Sequence, residues 1–233
     1  MKQTSIALLF GTVLSLVACS TTYRAEPIEA WVVDADTGKP IEGVVVTANW
    51  ELERGTAGGF VPFGQIMVME TVTDSKGRFY FPAWGPKSTP VYLPIPLIEN
   101  SPQLVDRDPQ ILLFKSGYRW RGLENYPLTN YNKGSLHKSD WNGKTIKIEK
   151  FKGSLREYAD QLTFIRTPLR FVEQDCNWKA TPRMILALDQ EYRIFQTNGI
   201  STALHLISTL EGISQSSGRD CGSAKDFFER ARK

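Results

Sequence analysis

The chain reads VVDADTGKPIEGVVVTA over residues 32–48, and this stretch carries the strongest structural signal in the sequence. Leading into it, residues 28–33 alternate with the two-residue period of a β-strand, and one side of the alternation is uniformly apolar. Residues 34–40 are rich in Asp, Gly and Pro, which favour turns. Residues 44–50 are mostly apolar and β-branched. The sequence here predicts a strand, a turn and a second strand.

A second informative stretch, TVTDSKGRFYFP, occupies residues 71–82. A tight-turn sequence, DSKG, separates apolar-rich segments at 66–73 and 78–81, so we expect a β-hairpin here. Between the two quoted stretches, residues 53–64 hold four Gly and one Pro. Both residue types interrupt strands, and we therefore predict a long loop over 53–64.

The two stretches resemble the carboxypeptidase regulatory-like family, whose pattern is D-x-x-T/S-G-x-P-I/L-x-G-V-x-V followed by a T-D-x-x-G-x-F hairpin. The matching residues are Asp34, Thr37, Gly38, Pro40, Ile41, Gly43, Val44, Val46, Thr73, Asp74, Gly77 and Phe79. The resemblance covers about residues 27–85 and implies a small transthyretin-like antiparallel β-sandwich. Members of the family usually act as scaffolds or binding modules. The H-x-x-E ligand pair of the zinc carboxypeptidases that named the family is absent from this sequence.

Later segments complete the predicted sandwich domain, which we assign to residues 28–150. Seven of the 13 Pro residues lie between Pro82 and Pro109, and this part is expected to be an extended surface loop or an edge segment. Residues 111–114 indicate a buried strand. Residues 145–149 alternate between polar and apolar and are expected to close the sandwich.

Residues 151–233 have helical periodicity and form a predicted helical subdomain. A capping box, in which Glu157 follows Ser154 by three residues, starts the first helix. The predicted helices are 155–166, one from Pro182 to the stop at Asn198-Gly199, 201–211, and one capped by Ser223. The expected fold class is therefore α+β, with a transthyretin-like antiparallel β-sandwich followed by a small C-terminal helical subdomain.

Residues 1–18 have the order of a secretory signal peptide, with a basic residue, an apolar run and small residues. The apolar run is shorter than the ~20 residues that span a bilayer. It ends in Leu-Val-Ala-Cys19, which resembles the lipobox of bacterial lipoproteins, where the Cys is acylated and becomes the first mature residue. We predict a signal peptide over 1–18, lipidation of Cys19 and a lipidated tether over 19–27. The alternative is an ordinary signal peptide with a chance Cys.

The lipobox resemblance implies a lipid-anchored protein of the cell envelope, since two or three acyl chains hold a protein stably on a membrane. Ser20 stands where an Asp resembles the inner-membrane retention signal of Gram-negative cells. In a Gram-negative source, the chain is therefore expected on the outer membrane, facing the periplasm. The composition, with 41% hydrophobic and 23% charged residues, is that of a globular chain. A net charge of +3 does not indicate a nucleic-acid partner.

Cys176 and Cys221 remain once Cys19 is assigned to lipid. An even pair of Cys in an exported chain favours a disulfide. The alternatives are two free buried thiols or half of a metal site. The sequence contains no C-x-x-C motif, and its two His, at positions 137 and 205, are far apart. We predict a disulfide between Cys176 and Cys221, and no metal or other cofactor.

A possible ligand surface lies in the aromatic-rich region between residues 84 and 141, where basic residues are interspersed. Its six aromatic residues are Trp84, Tyr92, Trp120, Tyr126, Tyr131 and Trp141. Exposed rings beside cations can stack on glycan rings or hold a peptide. The alternative is that these rings cover the sandwich core beneath long loops.

No motif in the sequence predicts a catalytic residue. The Gly-Lys-Thr at 143–145 lacks the earlier Gly of a phosphate-binding loop. Ser201 follows a predicted helix, whereas a nucleophile elbow follows a strand. We therefore predict a non-catalytic binding or structural module of the envelope, with the membrane, another envelope protein or a glycan as partner. The alternative is an envelope hydrolase that acts on peptidoglycan or peptides through residues that no motif reveals.

Overall fold

A computed structural model describes residues 21–89, 101–105, 107–126, 135–216 and 220–232. The strands in these residues are β1 Thr22–Ala25, β2 Ile28–Asp34, β3 Val45–Thr56, β4 Gly59–Val72, β5 Arg78–Phe81, β6 Trp84–Ser88, β7 Gln103–Leu104, β8 Gln110–Phe114, β9 Arg121–Leu123, β10 Leu136–His137 and β11 Thr145–Ile148. The α-helices are α1 Leu155–Thr163, α2 Pro182–Thr197, α3 Leu206–Ser216 and α4 Ala224–Ala231. Short 3-10 helices cover Phe164–Arg166, Arg170–Glu173 and Asn177–Ala180. The predicted signal peptide and Cys19 lie outside the described residues.

Three sheets enclose the apolar core of the β part. Strands β4, β3, β8 and β9 lie side by side in that order, and β7 pairs with β3. The orders of the two smaller sheets are β11-β2-β5 and β10-β1-β6. Side chains from all three sheets meet in one buried cluster, which includes Trp50, Phe79, Trp84, Ile111 and Ile146. The prediction of an α+β protein with a sandwich-like β part and C-terminal helices is confirmed.

Two strand pairs differ from the expected antiparallel arrangement. β11 runs parallel to β2, with Ile146 opposite Val32, and β10 runs parallel to β1. Parallel neighbours require a long connection between them. Most of the sandwich sequence lies between the two members of each pair, so this condition is met.

The predicted loop over 53–64 is wrong, because β3 and β4 form one long hairpin that turns at Ala57-Gly58. Of the Gly residues that suggested a loop, Gly58 and Gly59 lie in or next to the turn, Gly64 lies at a register shift of the ladder, and Gly55 pairs with Phe60. Gly59, just after the turn, has a φ of 111°. Pro62 is tolerated because β4 is the edge strand of its sheet in the described residues.

Part of the predicted tether over 19–27 is folded. β1 pairs with both β6 and β10, and its side chains Tyr23 and Ala25 are buried. The Tyr23 ring packs edge-on against the buried His137 ring, with 5.6 Å between the centroids. The short polar sequence around β1 concealed a strand that is stabilised by residues at least 59 positions away.

The turn after β2 is held by Asp34. Its Oδ1 accepts hydrogen bonds from the backbone N–H of Thr37 at 2.8 Å and from the Thr37 hydroxyl at 2.9 Å. Its Oδ2 accepts a hydrogen bond from the Tyr118 hydroxyl at 3.1 Å. These bonds, and the Thr37 N–H above all, lower the pKa of the Asp34 carboxyl. Asp34 thus connects the turn to the Gly117-Tyr118 segment, far along the chain.

The helices cover the outer face of the large sheet. Val45, Leu112 and Phe114 point away from the sandwich core and join the buried helical residues in a second apolar cluster. Glu70 of β4 provides the N-terminal cap of α2, because its carboxylate accepts hydrogen bonds from the N–H groups of Arg183 and Met184 at 2.9 and 2.7 Å. Burial raises the pKa of Glu70, while these two bonds lower it.

The capping box at Ser154 is present, and the predicted helices that begin at 155, 182 and 224 are confirmed. The third helix starts at Leu206 and not at 201. In the segment that precedes it, the side chains of Arg156 and Arg166 donate to the carbonyl oxygens of Ser201 and Ala203. These two bonds connect the segment to the region of α1.

Candidate functional site

A cleft of about 710 Å³ opens between the outer face of the large sheet and the 3-10 helices that follow α1. Its floor is formed by alternate residues of β3, namely Thr47, Asn49 and Glu51, together with Gln110 of β8. These residues face away from the sandwich core because successive side chains of a strand point to opposite faces. Cavities of roughly 300–1,000 Å³ are typical of small-molecule sites.

Two walls rise from this floor. One wall contains Phe164, Pro168, Arg170 and Phe171, from the 3-10 helices and their connection. The opposite wall consists of Trp120, Gly122 and Glu124 in and around β9, and Arg107 also lines the cleft. Phe164 is 68% exposed, which is unusual for a large apolar side chain. The cleft therefore offers rings on its sides and polar groups on its floor.

Two polar groups of the floor lack partners. Thr47 and Asn49 are 1% and 3% exposed. Within the described residues, the Thr47 hydroxyl and the Asn49 amide oxygen have no hydrogen-bond partner. A buried polar group without a partner costs about 1–3 kcal/mol. Such groups are rare in native proteins. In the lining of a cleft, a ligand or an ordered water molecule can provide the missing hydrogen bonds.

Glu51 is the titratable residue of the floor. Burial raises the pKa of its carboxyl, and the negative charge of Glu53 raises it further. A hydrogen bond from the Gln110 side chain at 3.3 Å and the positive charges of Arg107 and Arg170 act in the opposite direction. The cleft thus combines one partly buried acid with two guanidinium groups.

The disulfide stabilises the wall of the cleft that the 3-10 helices form. Cys176 and Cys221 are bonded with their Cα atoms 5.5 Å apart, as predicted. Next to the bridge, the Gln65 side chain of β4 is hydrogen-bonded to the side chains of Gln174 and Asn177 at 3.2 and 2.7 Å. The bridge and these bonds tie the wall both to α4 and to the sheet.

The six aromatic residues of the predicted ligand surface do not form one surface. Trp84 is a correction to that prediction, because it is 6% exposed and packs on Trp50 in the sandwich core, with ring centroids 5.5 Å apart. Trp141 is half-buried, and its indole N–H donates to the Glu124 carbonyl. Tyr126 is 66% exposed but is not part of the cleft lining. Tyr92 and Tyr131 lie outside the described residues.

Of the four predicted aromatic residues that the structure describes, Trp120 lines the cleft and the others do not. Its indole N–H donates to the carbonyl of Gln161 in α1 at 3.1 Å, which fixes the ring between sheet and helices. The floor residues Thr47, Asn49 and Glu51 were missed. Their alternation along β3 is the only local signal, and it is typical of any strand with a solvated face. The wall of 3-10 helices, which turns this face into a cleft, comes from residues more than 100 positions later in the chain.

A polar cluster behind the cleft is centred on Asn125, which is 2% exposed. Its amide N–H groups donate to the carbonyls of Asp108 and Lys138, and its side-chain oxygen accepts from the N–H of Asp140. Its own N–H donates to the carbonyl of Arg107 at 3.0 Å. One side chain therefore joins the segment that positions Arg107 to the segment before β11.

The buried carboxyl of Asp108 should make the stability of the folded protein decrease as the pH rises. Burial raises the pKa of its carboxyl well above the ordinary value, and the charges of Glu51 and Glu53 act in the same direction. Folding therefore favours the neutral acid. This contribution is complete below the unfolded pKa of about 3.9 and is lost as the pH rises through the raised folded pKa.

We expect Asp108→Asn to be more stable than the parent protein at pH 8, with a difference that shrinks towards pH 4. Urea unfolding of both proteins between these two pH values measures the effect. A parent protein that gains stability relative to Asp108→Asn as the pH rises would contradict the expected sign.

Among the described residues, no group of three or more His, Cys, Asp or Glu is arranged to hold a metal ion. No helix in the described residues is long and apolar enough to cross a membrane.

No family model and no curated protein matches the chain. Among solved structures, the chain is similar to 3-chlorocatechol 1,2-dioxygenase from Rhodococcus opacus 1CP, with 14% identity over 57% of this chain and 62% of that chain and a TM-score of 0.29. It is also similar to a 9R-lipoxygenase from Cyanothece PCC8801, with 13% identity over 67% of this chain and 24% of that chain and a TM-score of 0.22. The chain thus spans less than two thirds of each of these proteins. At these TM-scores, neither likeness carries an argument about fold or function.

Proposed function

We propose that the chain is a lipid-anchored, non-catalytic binding module of the bacterial cell envelope and that its ligand occupies the cleft on the outer face of the large sheet. The observation that carries this proposal is a pair of buried polar groups, on Thr47 and Asn49, that have no hydrogen-bond partner in the described part of the chain and lie in a cleft of about 710 Å³. A ligand with its own donors and acceptors would satisfy both groups and offset their desolvation.

The chemistry of the cleft favours a ligand that carries amides or hydroxyls together with a carboxylate. Thr47, Asn49 and Gln110 can exchange hydrogen bonds with amide or hydroxyl groups. Arg107 and Arg170 provide donors for a carboxylate. The Trp120 ring offers an apolar face at the side. In the envelope, a peptidoglycan fragment with its sugar, peptide and carboxylate groups has this combination.

Membership of the carboxypeptidase regulatory-like family is part of the proposal. In support of it, the residues that carry the resemblance make specific contacts. The Asp34 carboxylate accepts hydrogen bonds from the N–H and the hydroxyl of Thr37. The Thr73 hydroxyl donates to the carbonyl of Ile41 and accepts from the N–H of Val44. The Asp74 carboxylate accepts from the N–H of Arg78. The Leu-Val-Ala-Cys19 sequence supports lipid anchoring in the envelope, and Ser20 supports the outer membrane in a Gram-negative source.

Binding of a soluble peptidoglycan fragment, a disaccharide with its peptide stem, tests the proposed ligand site. We expect titration calorimetry to detect binding by the parent protein. Asn49→Leu and Arg170→Ala should each weaken it at least about tenfold, which is about 1.4 kcal/mol. The matched control is Arg193→Ala, because Arg193 lies on α2 outside the cleft and pairs with Asp189. Equal affinity in the parent protein and the two cleft variants would remove the cleft from the proposal.

A second candidate function, hydrolysis in the same cleft, is favoured by one observation. Burial raises the pKa of Glu51, which is the property that a general acid requires near neutral pH. Mass spectrometry of the same fragment after incubation distinguishes the two functions. Cleavage by the parent protein that is lost in Glu51→Gln would assign hydrolysis, whereas binding of an intact fragment supports the non-catalytic module.

A further inference from the structure

The β3–β4 hairpin continues as a two-stranded arm beyond the rest of the large sheet. β8 pairs with β3 only as far as Asn49, and β7 pairs with it only as far as Glu53. From Arg54 to the turn and back to Val61, the two strands pair with each other and have no further strand partner in the described residues. A two-stranded hairpin is marginally stable by itself in water, so a contact that covers the arm would stabilise it.

The far end of this arm, which we call the arm tip, comprises residues 54–64 and reads RGTAGGFVPFG. It contains no acidic residue. Phe60 is 63% exposed and Val61 is 38% exposed. Behind them, the Arg54 guanidinium lies over the Phe63 ring, 5.4 Å from its centroid. At the base of the segment, a Cβ atom on Gly64 would lie 3.5 Å from the Asp175 carboxylate. At its end, an exposed aromatic and aliphatic pair with no acidic residue of the segment itself is the composition of a structure that lies in the interface of a membrane.

The register of the strands places the N-terminus at the end of the sandwich from which the arm projects. The Trp84 ring, at the start of β6, packs on Trp50. Three residues later, Lys87 donates to the carbonyl of Ile66 at 3.2 Å, closer to the arm. β6 therefore runs towards the arm. β1 is antiparallel to β6 and pairs Thr22 with Ser88, so the chain enters the fold at the arm end.

The chain from Thr22 to Cys19 can span nearly the same distance as the arm spans from Gly64 to Phe60. Cys19 precedes Thr22 by three residues, which span at most about 10 Å when extended. Ser88 and Gly64 line one shallow depression, so Thr22 and Gly64 lie at a similar level. Phe60 lies four residues beyond Gly64 along β4, or about 13 Å. A bilayer that holds acyl chains on Cys19 is therefore within reach of Phe60.

We propose that the arm tip inserts Phe60 and Val61 into the headgroup region of the same leaflet that holds the acyl chains of Cys19. This inference rests on the proposed lipid anchor. Two points of attachment orient the domain on the membrane, whereas a single point of attachment allows it to rotate. The cleft lies on the face of the large sheet that the helices cover, so it would have a fixed direction relative to the bilayer.

The test uses the mature lipidated chain in vesicles of phosphatidylethanolamine and phosphatidylglycerol. A fluorophore is attached at Ala57→Cys in the turn of the arm. The matched control is Ser75→Cys, because Ser75 is an exposed residue in the turn at the opposite end of β4. We expect headgroup-level nitroxide lipids to quench the label at position 57 several-fold more than the label at position 75. Adding Phe60→Ser to the Ala57→Cys protein should abolish most of this quenching while flotation with the vesicles is unchanged.

Flotation and the mass of the N-terminal peptide separate the two ways in which the inference can fail. An unacylated chain that does not float would overturn the lipid anchor and the inference together. An acylated chain that floats, with both labels quenched equally, would overturn the membrane contact of the arm alone. A change in the fluorescence of the label at position 57 that depends on protein concentration, and occurs without vesicles, would assign the arm to a second copy of the chain. This outcome would also overturn the inference.

Discussion

Gly77→Ala should destabilise the protein by more than about 3 kcal/mol, which is among the larger losses that single substitutions cause. Gly77 has a φ of 72°, and a Cβ atom there would lie 2.3 Å from the carbonyl oxygen of Val32 and 3.2 Å from the backbone nitrogen of Ile41. Both are backbone atoms of the β2 region, and the Gly77 carbonyl also accepts the Val32 N–H at 2.8 Å. No flexible side chain can yield, so the β2–β5 sheet itself must shift.

Gly38→Ala is the matched control for this substitution. Gly38 has a similar φ of 67°, but a Cβ atom there would meet nothing within 4 Å. It should therefore lose only the cost of placing an L-residue in the left-handed region, about 1 kcal/mol. Urea unfolding of the two variants and the parent protein measures the difference. Equal losses in the two variants would show that the turn after β4 adapts without strain.

Replacing both Cys176 and Cys221 with Ser should cost roughly 2–4 kcal/mol of stability. The bridge closes a sequence separation of 45 residues and joins the 3-10 helices to the segment before α4. Without it, the unfolded helical part gains conformational freedom, and short helices are individually marginal in water. The loss should therefore be concentrated in residues 155–232.

Hydrogen exchange followed by peptide mass spectrometry locates the effect of the double substitution. Protection should fall in α3, α4 and the wall of the cleft, while β2 and β5 in the sandwich stay protected. Reduction of the parent protein is the control, because it removes the same bridge without changing the sequence. A uniform loss of protection over the whole chain would contradict a local role for the bridge.

The parts of the fold that the sequence predicted well are those whose signals are local. The turn after β2, the DSKG turn, the capping box and the Pro182 helix start each depend on residues within a few positions of one another. The two parts it predicted badly have different causes. β1 depends on the distant strands β6 and β10. The arm is a local hairpin, but its Gly and Pro content conceals the pairing.

The cleft, like β1, depends on residues that are distant in the sequence, so no local pattern predicted it. Asn49 and Glu51 on β3 are ordinary polar residues of a strand until the 3-10 helices after α1 are placed opposite them. The aromatic residues predicted a ligand surface because aromatic side chains are common in binding sites. They are equally common in cores, and only packing distinguishes Trp84, which is buried in the sandwich, from Trp120, which lines the cleft.

The cap that Glu70 provides for α2 has a consequence for how the chain can be divided. The carboxylate belongs to the strand region, while the two N–H groups it binds belong to the helical region. A fragment that ends at residue 150 would leave Glu70 without these donors and would expose Phe114, and the separate helical fragment would begin α2 without its acceptor. Thr181 makes no side-chain cap to replace it. The boundary that the sequence suggests near residue 150 therefore marks a change of secondary structure that buried contacts bridge, and insertions or truncations there would disturb both halves.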